Sequence, residues 1–284
     1  MMKLGTITVE PLSEAIGGRV TGIDLSKPYG EETADFLRRA FAEYGVLCFP
    51  AQDIDGDDQI RFANIFGRAD ADPSTKAAPR EDKLSSQKRG IMYISNIRKD
   101  NKPIGDLPDG ELQFHSDGSH RANPYRATTL YGIKVTTVGG ETRFSNLTAA
   151  YAALPEAMKA KIDKLQARHV YDRRAYKREE IKIDGEGLTI AAHPLVRTHP
   201  DTGRKSLYLS YLMARDVVGM DFDEGEALLL ELCAHAEKPE FVYAHCWTPR
   251  DLLIWDNRTV NHARNDFPTD QERHLRRITI SEPQ

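Results

Sequence analysis

His115 and Asp117 stand two residues apart, a spacing that puts an imidazole and a carboxylate on one face of an extended strand, where side chains repeat with period 2. A second imidazole from far along the chain, His262, can complete one face of an octahedron around an ion. Two imidazoles and a carboxylate, with positions open opposite them, form the arrangement that holds non-heme Fe(II) for oxygen chemistry. A His-x-Asp pair alone is weak in a chain with nine histidines; what accompanies it further along gives it weight. Arg273 follows His262 by eleven residues, and Arg277 lies four beyond that. An even offset on a strand puts both guanidinium groups on one face and turns Arg276 to the other.

These residues need a scaffold of strands. Thr6–Glu10, Val46–Phe49, Ile91–Ile94, Gln113–Asp117, Ala127–Thr136, Thr142–Phe144, Phe241–Cys246, Leu252–Trp255 and His274–Ile280 read as strands from alternation or short apolar runs. His193–Thr198 and Ser206–Ser210, joined through His199-Pro200-Asp201-Thr202-Gly203, read as a hairpin. Apolar residues at helical spacing predict helices over 31–44 and 57–66. Further helices are predicted over 147–154 behind Asn146, from Pro155 to about 165, and over 225–237 capped by Asp223. The fold class is therefore mainly β with flanking helices, a sandwich or barrel. No linker divides the chain, so 1–284 is read as a single domain. Residues 69–90, rich in charge, proline and serine, read as a long lid loop.

With 284 residues, 40% of them hydrophobic, the chain can bury a large core. Its 39 basic and 43 acidic side chains give a net charge of −4, which argues against nucleic acid as a partner. Three cysteines, Cys48, Cys233 and Cys246, make no disulfide framework and no paired metal motif. Cys48 and Cys246 are expected to be buried thiols. His193, His199, His235 and His245 have no partner by spacing and are expected to be structural. No apolar signal region opens the sequence, and no run reaches the length of about 18 apolar residues that spans a membrane, so a soluble cytoplasmic protein is expected.

The elements Phe114-His115-Ser116-Asp117, Gly139-Gly140-Glu141-Thr142 and Trp255-Asp256-Asn257-Arg258 with His262, followed by Arg273 and Arg277, resemble the TauD/TfdA family. His199-Pro200-x-Thr-Gly-Arg204-Lys205-x-Leu-Tyr208 belongs to the same pattern, which covers nearly the whole chain in order. These are Fe(II)- and 2-oxoglutarate-dependent dioxygenases, and the resemblance implies a double-stranded β-helix, or jelly roll. It implies that His115, Asp117 and His262 bind Fe(II), and that Thr142 and Arg273 anchor 2-oxoglutarate, with O2 as the second co-substrate. It also implies that Arg277 binds the anionic group of a small substrate. Asp117 implies hydroxylation rather than the halogenation carried out by relatives that lack this carboxylate. Phe114 and Trp255 are expected to wall the pocket, and Asn96 and His120 to contact substrate. Homo-oligomers, dimers or tetramers, are common in the family.

Departures from the taurine branch are specific. Glu111 stands where the taurine enzymes carry Asn, Phe114 replaces the Trp that often precedes the first iron His, and the lid stretch has no His or Tyr. Residues 195–208 and 239–258 are closer to the 2,4-dichlorophenoxyacetate branch. The expected activity is hydroxylation of a sulfonate, alkyl sulfate or aryloxyalkanoate, releasing succinate and CO2. Alternatives are a biosynthetic hydroxylase or desaturase acting on an amino acid or natural product, a 2-oxoglutarate-sensing jelly roll without catalysis, and a zinc hydrolase.

Overall fold

The computed structural model describes all residues except 70–89, 173–174, 176, 182–184 and 283–284. The expected lid at 69–90 thus lies outside the described residues, apart from its two ends. Two sheets frame the molecule. In the larger, the strands run Met2–Leu4, Ile7–Pro11, Gly18–Thr21, Val46–Phe49, Leu252–Asp256, Ala127–Lys134, His274–Ser281 and Arg68–Ala69, and Met92–Ser95 also pairs with His274–Ser281. The pairs are antiparallel except Gly18–Thr21 with Val46–Phe49. The smaller sheet is Val242–His245, Thr142–Asn146, Val260–Arg264 and Leu112–His115, in that order.

Strand alternation divides the large sheet between two cores. Leu253, Trp255, Val46, Cys48, Leu130 and Leu275 turn inward and meet Phe144 and Val260 of the small sheet. Their neighbours Leu252, Ile254, Leu47 and Phe49 turn outward against the helices Glu31–Tyr44 and Gly56–Ala63. There Phe41 and Phe66 pack at 4.9 Å between ring centroids, as do Phe49 and Phe62. A sheet covered on both faces has strands that read as continuous apolar runs, which is why Val46–Phe49 and Leu252–Asp256 are buried throughout. A third core joins the helices Leu147–Ala153, Glu156–Ile162 and Phe222–Ala236 to Leu195, Val196 and Leu207. The predicted hairpin forms between Val196–Thr198 and Lys205–Leu207.

Capping chemistry explains where the helix ends differ from the sequence reading. Gly45, at φ 68°, closes Glu31–Tyr44 as expected. The second helix is Gly56–Ala63 rather than 57–66: Asp55 caps its start in a capping box with Asp58, and Asn64 ends it. The long helix is capped by Asp221, not Asp223, because the Asp221 carboxylate accepts the backbone N–H groups of Asp223 and Glu224. Cys246 is exposed, not buried, since its strand ends at His245 and the thiol falls one residue beyond the sheet.

Candidate metal and co-substrate site

His115 and His262 sit directly opposite each other on neighbouring strands of the small sheet, with ring centroids 4.1 Å apart. Asp117 follows two residues after His115, just past the strand end. Its Oδ1 lies 3.8 Å from His115 Nε2 and its Oδ2 3.7 Å from His262 Nε2. All three side chains are buried. The Nδ1 of His115 is 2.9 Å from the Gln113 carbonyl oxygen. Donating to that carbonyl fixes the tautomer and leaves Nε2 with its lone pair toward Asp117. Trp255 packs on His262 at 4.6 Å between ring centroids.

Charge at the three groups suits a cation. Burial lowers the pKa of both imidazoles and keeps them neutral, as metal ligands must be. Burial pushes the Asp117 carboxyl up, but Arg277 and the two imidazoles together outweigh it and hold the group well below the usual carboxylate range. Two neutral imidazoles and one carboxylate, their ligand atoms all within 4.8 Å of one another, are a donor set that fits Fe(II).

The large sheet holds the carboxylate. Thr128 Oγ1 donates to Asp117 Oδ2 at 2.6 Å, and Asn257 Nδ2 donates to Thr128 Oγ1 at 3.0 Å. Asn257 Oδ1 in turn accepts from Trp255 Nε1 at 3.1 Å, and its carbonyl oxygen accepts from Ser116 Oγ at 2.7 Å. Of these partners the sequence marks only Asn257, within the motif Trp255-Asp256-Asn257-Arg258. The Gln113 position was available from period 2; nothing in the spacing marks Thr128, because the approach of two sheets puts it there.

Arg273 is buried where the last strand enters the large sheet. Among the described residues, the hydrogen bond found for its guanidinium goes to the Gly140 carbonyl oxygen, at 3.1 Å. Burial pushes Arg273 down to about 9, and the nearby charge of Arg264 adds to this. That is the mark of a buried cation short of a counter-anion. A Cβ on Gly140 would lie 2.8 Å from Thr136 Oγ1 and 3.1 Å from Arg273 Nε, and its φ of +70° favours glycine as well. Thr142 is buried, and its Oγ1 accepts from Trp247 Nε1 at 3.0 Å, which leaves the hydroxyl hydrogen to donate elsewhere.

Arg277 Nη2 lies 2.7 Å from Asp117 Oδ1, and Arg277 Nη1 contacts Met92 Sδ at 3.4 Å. Arg276 points the other way, into Gln59 and the carbonyl oxygens of Ile54 and Asp55.

Three of the residues expected at the substrate are placed differently. Phe114 alternates with His115 and so lies on the opposite face of the small sheet, where the Arg143 guanidinium carbon sits 4.7 Å from its ring centroid. Asn96 is spent on backbone: its Oδ1 accepts from Arg273 N–H at 2.8 Å and its Nδ2 donates to the Gln271 carbonyl at 2.8 Å. It clamps the chain that carries Arg273. His120 stacks on Tyr171 at 4.4 Å between centroids, beside His169 rather than against the triad.

The chain resembles known proteins along nearly its whole length. The profile of the Taurine catabolism dioxygenase TauD, TfdA family matches residues 8–279. The chain is 31% identical to an (S)-phenoxypropionate/alpha-ketoglutarate-dioxygenase of Sphingobium herbicidovorans, over 93% of this chain and 91% of that one. It is also 31% identical to an alpha-ketoglutarate-dependent 2,4-dichlorophenoxyacetate dioxygenase of Cupriavidus pinatubonensis, over 96% and 97%. The crystal structure of AAD-2 in complex with Mn(II) and N-oxalylglycine superposes with a TM-score of 0.80 at 33% identity, covering 98% of each chain. The protein belongs to the TauD/TfdA family and is an Fe(II)- and 2-oxoglutarate-dependent dioxygenase.

Proposed function

We propose that this enzyme hydroxylates a small organic anion, and that the anion is held by Arg277. His115, Asp117 and His262 hold the Fe(II), while Arg273 and Thr142 take the distal carboxylate of 2-oxoglutarate. Bound iron with 2-oxoglutarate and O2 supplies the oxidising chemistry, releasing succinate and CO2. The protein's part is placement. Arg273 offers a planar fork that matches a carboxylate in two parallel hydrogen bonds, and the Thr142 hydroxyl, oriented by Trp247, donates a third. A salt bridge buried at this depth excludes water from the co-substrate.

The single observation that carries the substrate assignment is the position of Arg277. Its guanidinium reaches the Asp117 carboxylate at 2.7 Å, four residues beyond Arg273, an even offset along extended chain. An anion bound to it would therefore have its adjacent carbons beside the metal. Activity of relatives on phenoxypropionate and dichlorophenoxyacetate makes aryloxyalkanoates the first class to try, with alkyl sulfates and sulfonates next. Two sheets with an apolar core between them support the jelly-roll reading, and a large sheet that pairs strands from Met2 to Ser281 supports a single domain.

The test is succinate release with Fe(II), ascorbate and 2-oxoglutarate across aryloxyalkanoates, alkyl sulfates, sulfonates and amino acids. Substrate-dependent succinate from one anionic class is expected. A response confined to amino acids would replace this reading with a biosynthetic one. No succinate from protein shown to bind iron would indicate a sensor.

A further inference from the structure

A second group of ligand-type side chains is buried between the sheets. Cys48 comes from the inner face of Val46–Phe49, His245 from the end of Val242–His245, and Asp251 from the turn before Leu252–Asp256. Their sulfur, nitrogen and oxygen atoms all lie within 4.8 Å of one another, and all three residues are buried. Cys48 is 1% exposed, His245 4% and Asp251 4%. Neither the family match nor the dioxygenase chemistry gives this cluster a role.

We propose that Cys48, His245 and Asp251 form a second transition-metal site, suited to Zn2+, separate from the His115–Asp117–His262 triad. Charge supports it: a thiolate and a carboxylate neutralise a dication, so the occupied site is uncharged, which burial demands. Its ligands are also partly pre-arranged. His245 Nε2 and Asp251 Oδ2 are 3.2 Å apart, close to the roughly 3.5 Å between ligand atoms around a tetrahedral ion with bonds of about 2.0–2.3 Å. Thr248 N–H donates to Asp251 Oδ2 at 3.0 Å, and the Tyr243 hydroxyl meets His245 Nδ1 at 3.0 Å. On binding, the ion takes the place of the proton between Nε2 and Oδ2. That proton moves to Nδ1, where the Tyr243 oxygen accepts it. Such an outer partner is what orients a ligating imidazole.

The thiol completes the set. Burial pushes Cys48 up to about 12, so the ion-free protein carries a thiol, and each ion bound releases its proton. The presence of sulfur separates the two sites chemically: thiolate selects zinc-like ions, whereas imidazole with carboxylate suits iron. The site also touches the co-substrate anchor. His245 is paired directly opposite Thr142, and its ring meets that of Trp247, the Thr142 donor, edge-on at 4.9 Å.

Cobalt distinguishes the sites, because a thiolate gives Co2+ a sulfur-to-metal charge-transfer band in the near ultraviolet and the triad has no thiolate to give one. Chelator-stripped full-length protein titrated with Co2+ is expected to bind two equivalents and to show the band. Cys48→Ser is expected to lose the band and one equivalent. Asp251→Asn, which keeps shape and the Thr248 hydrogen bond, is expected to weaken that equivalent at least tenfold and guards against misfolding of the serine variant. His115→Ala is expected to lose the other equivalent and keep the band; loss of the band in this variant would overturn the separate site. One equivalent without a charge-transfer band in the wild type, or a band that survives Cys48→Ser, overturns the proposal.

Discussion

On the outer face of the strand His274–Ser281, Arg276 is tied to the fold: Gln59 Oε1 accepts from its Nε, and the carbonyl oxygens of Ile54 and Asp55 accept from its Nη2. On the inner face Arg277 meets a metal-ligand carboxylate, and Arg273, just before the strand, has one backbone carbonyl found among the described residues. The three arginines are near neighbours in sequence and alike in chemistry. They differ in whether their partners are fixed parts of the fold. Backbone carbonyls cannot leave, so Arg276 ties the helix Gly56–Ala63 to the sheet. Among the described residues Arg273 keeps guanidinium donors for which no fold partner is found, and desolvated donors left unused cost free energy unless a ligand takes them. Counting fixed partners, rather than burial, separates the bracing arginine from the two proposed to bind.

Substitutions can sharpen or break that contrast. The largest effect is expected from Asp117→Ala, which removes a metal ligand and the partner of Arg277 together. Succinate release should be abolished; turnover at the wild-type rate would remove the triad assignment. Next comes Arg273→Met, expected to raise the KM for 2-oxoglutarate about 10- to 100-fold, the value of a charge-assisted bond of about 1.5–3 kcal/mol, while the KM for the organic substrate changes little. Arg277→Ala should show the opposite pattern, raising the substrate KM by about tenfold or more with a smaller change for 2-oxoglutarate. A reversed pair of outcomes would exchange the two roles. Arg276→Met should leave both KM values alone and cost about 1–3 kcal/mol in urea unfolding, because Gln59 and two carbonyls lose their donor. A change in either KM without loss of stability would end the distinction between the faces. Smallest is Trp247→Phe, expected to weaken 2-oxoglutarate binding about fivefold through the freed Thr142 hydroxyl, at about 1 kcal/mol for one neutral hydrogen bond.

Legibility followed physical range. The triad could be read because period 2 joins His115 to Asp117 and because the motif around Trp255 locates His262. Period 2 also explains the directions of Arg276 and Arg277. Applied one residue earlier, the same rule turns Phe114 away from the metal, so that placement was within reach of the sequence. Asn96 is expected at the substrate, but its partners are the backbone at Gln271 and Arg273, just before a strand and remote in sequence. Thr128 and Trp247 carried no local signal, since each acts across an interface set by tertiary packing. The cap at Asp221 was missed because Asp223, two residues on, satisfies the same compositional rule.

The strand His274–Ser281 lies inside the large sheet, hydrogen-bonded to Ala127–Lys134 on one side and to Arg68–Ala69 and Met92–Ser95 on the other. Until residues 274–281 pair, the sheet therefore holds a slot beside Ala127–Lys134, open on both sides. A nascent polypeptide stopped before Arg273 already carries both imidazoles and the carboxylate, yet has neither arginine and two unzipped strand edges. Pairing of this one strand thus completes the sheet and brings in both inward-facing arginines together, and the interval before the slot closes leaves strand edges open to other chains.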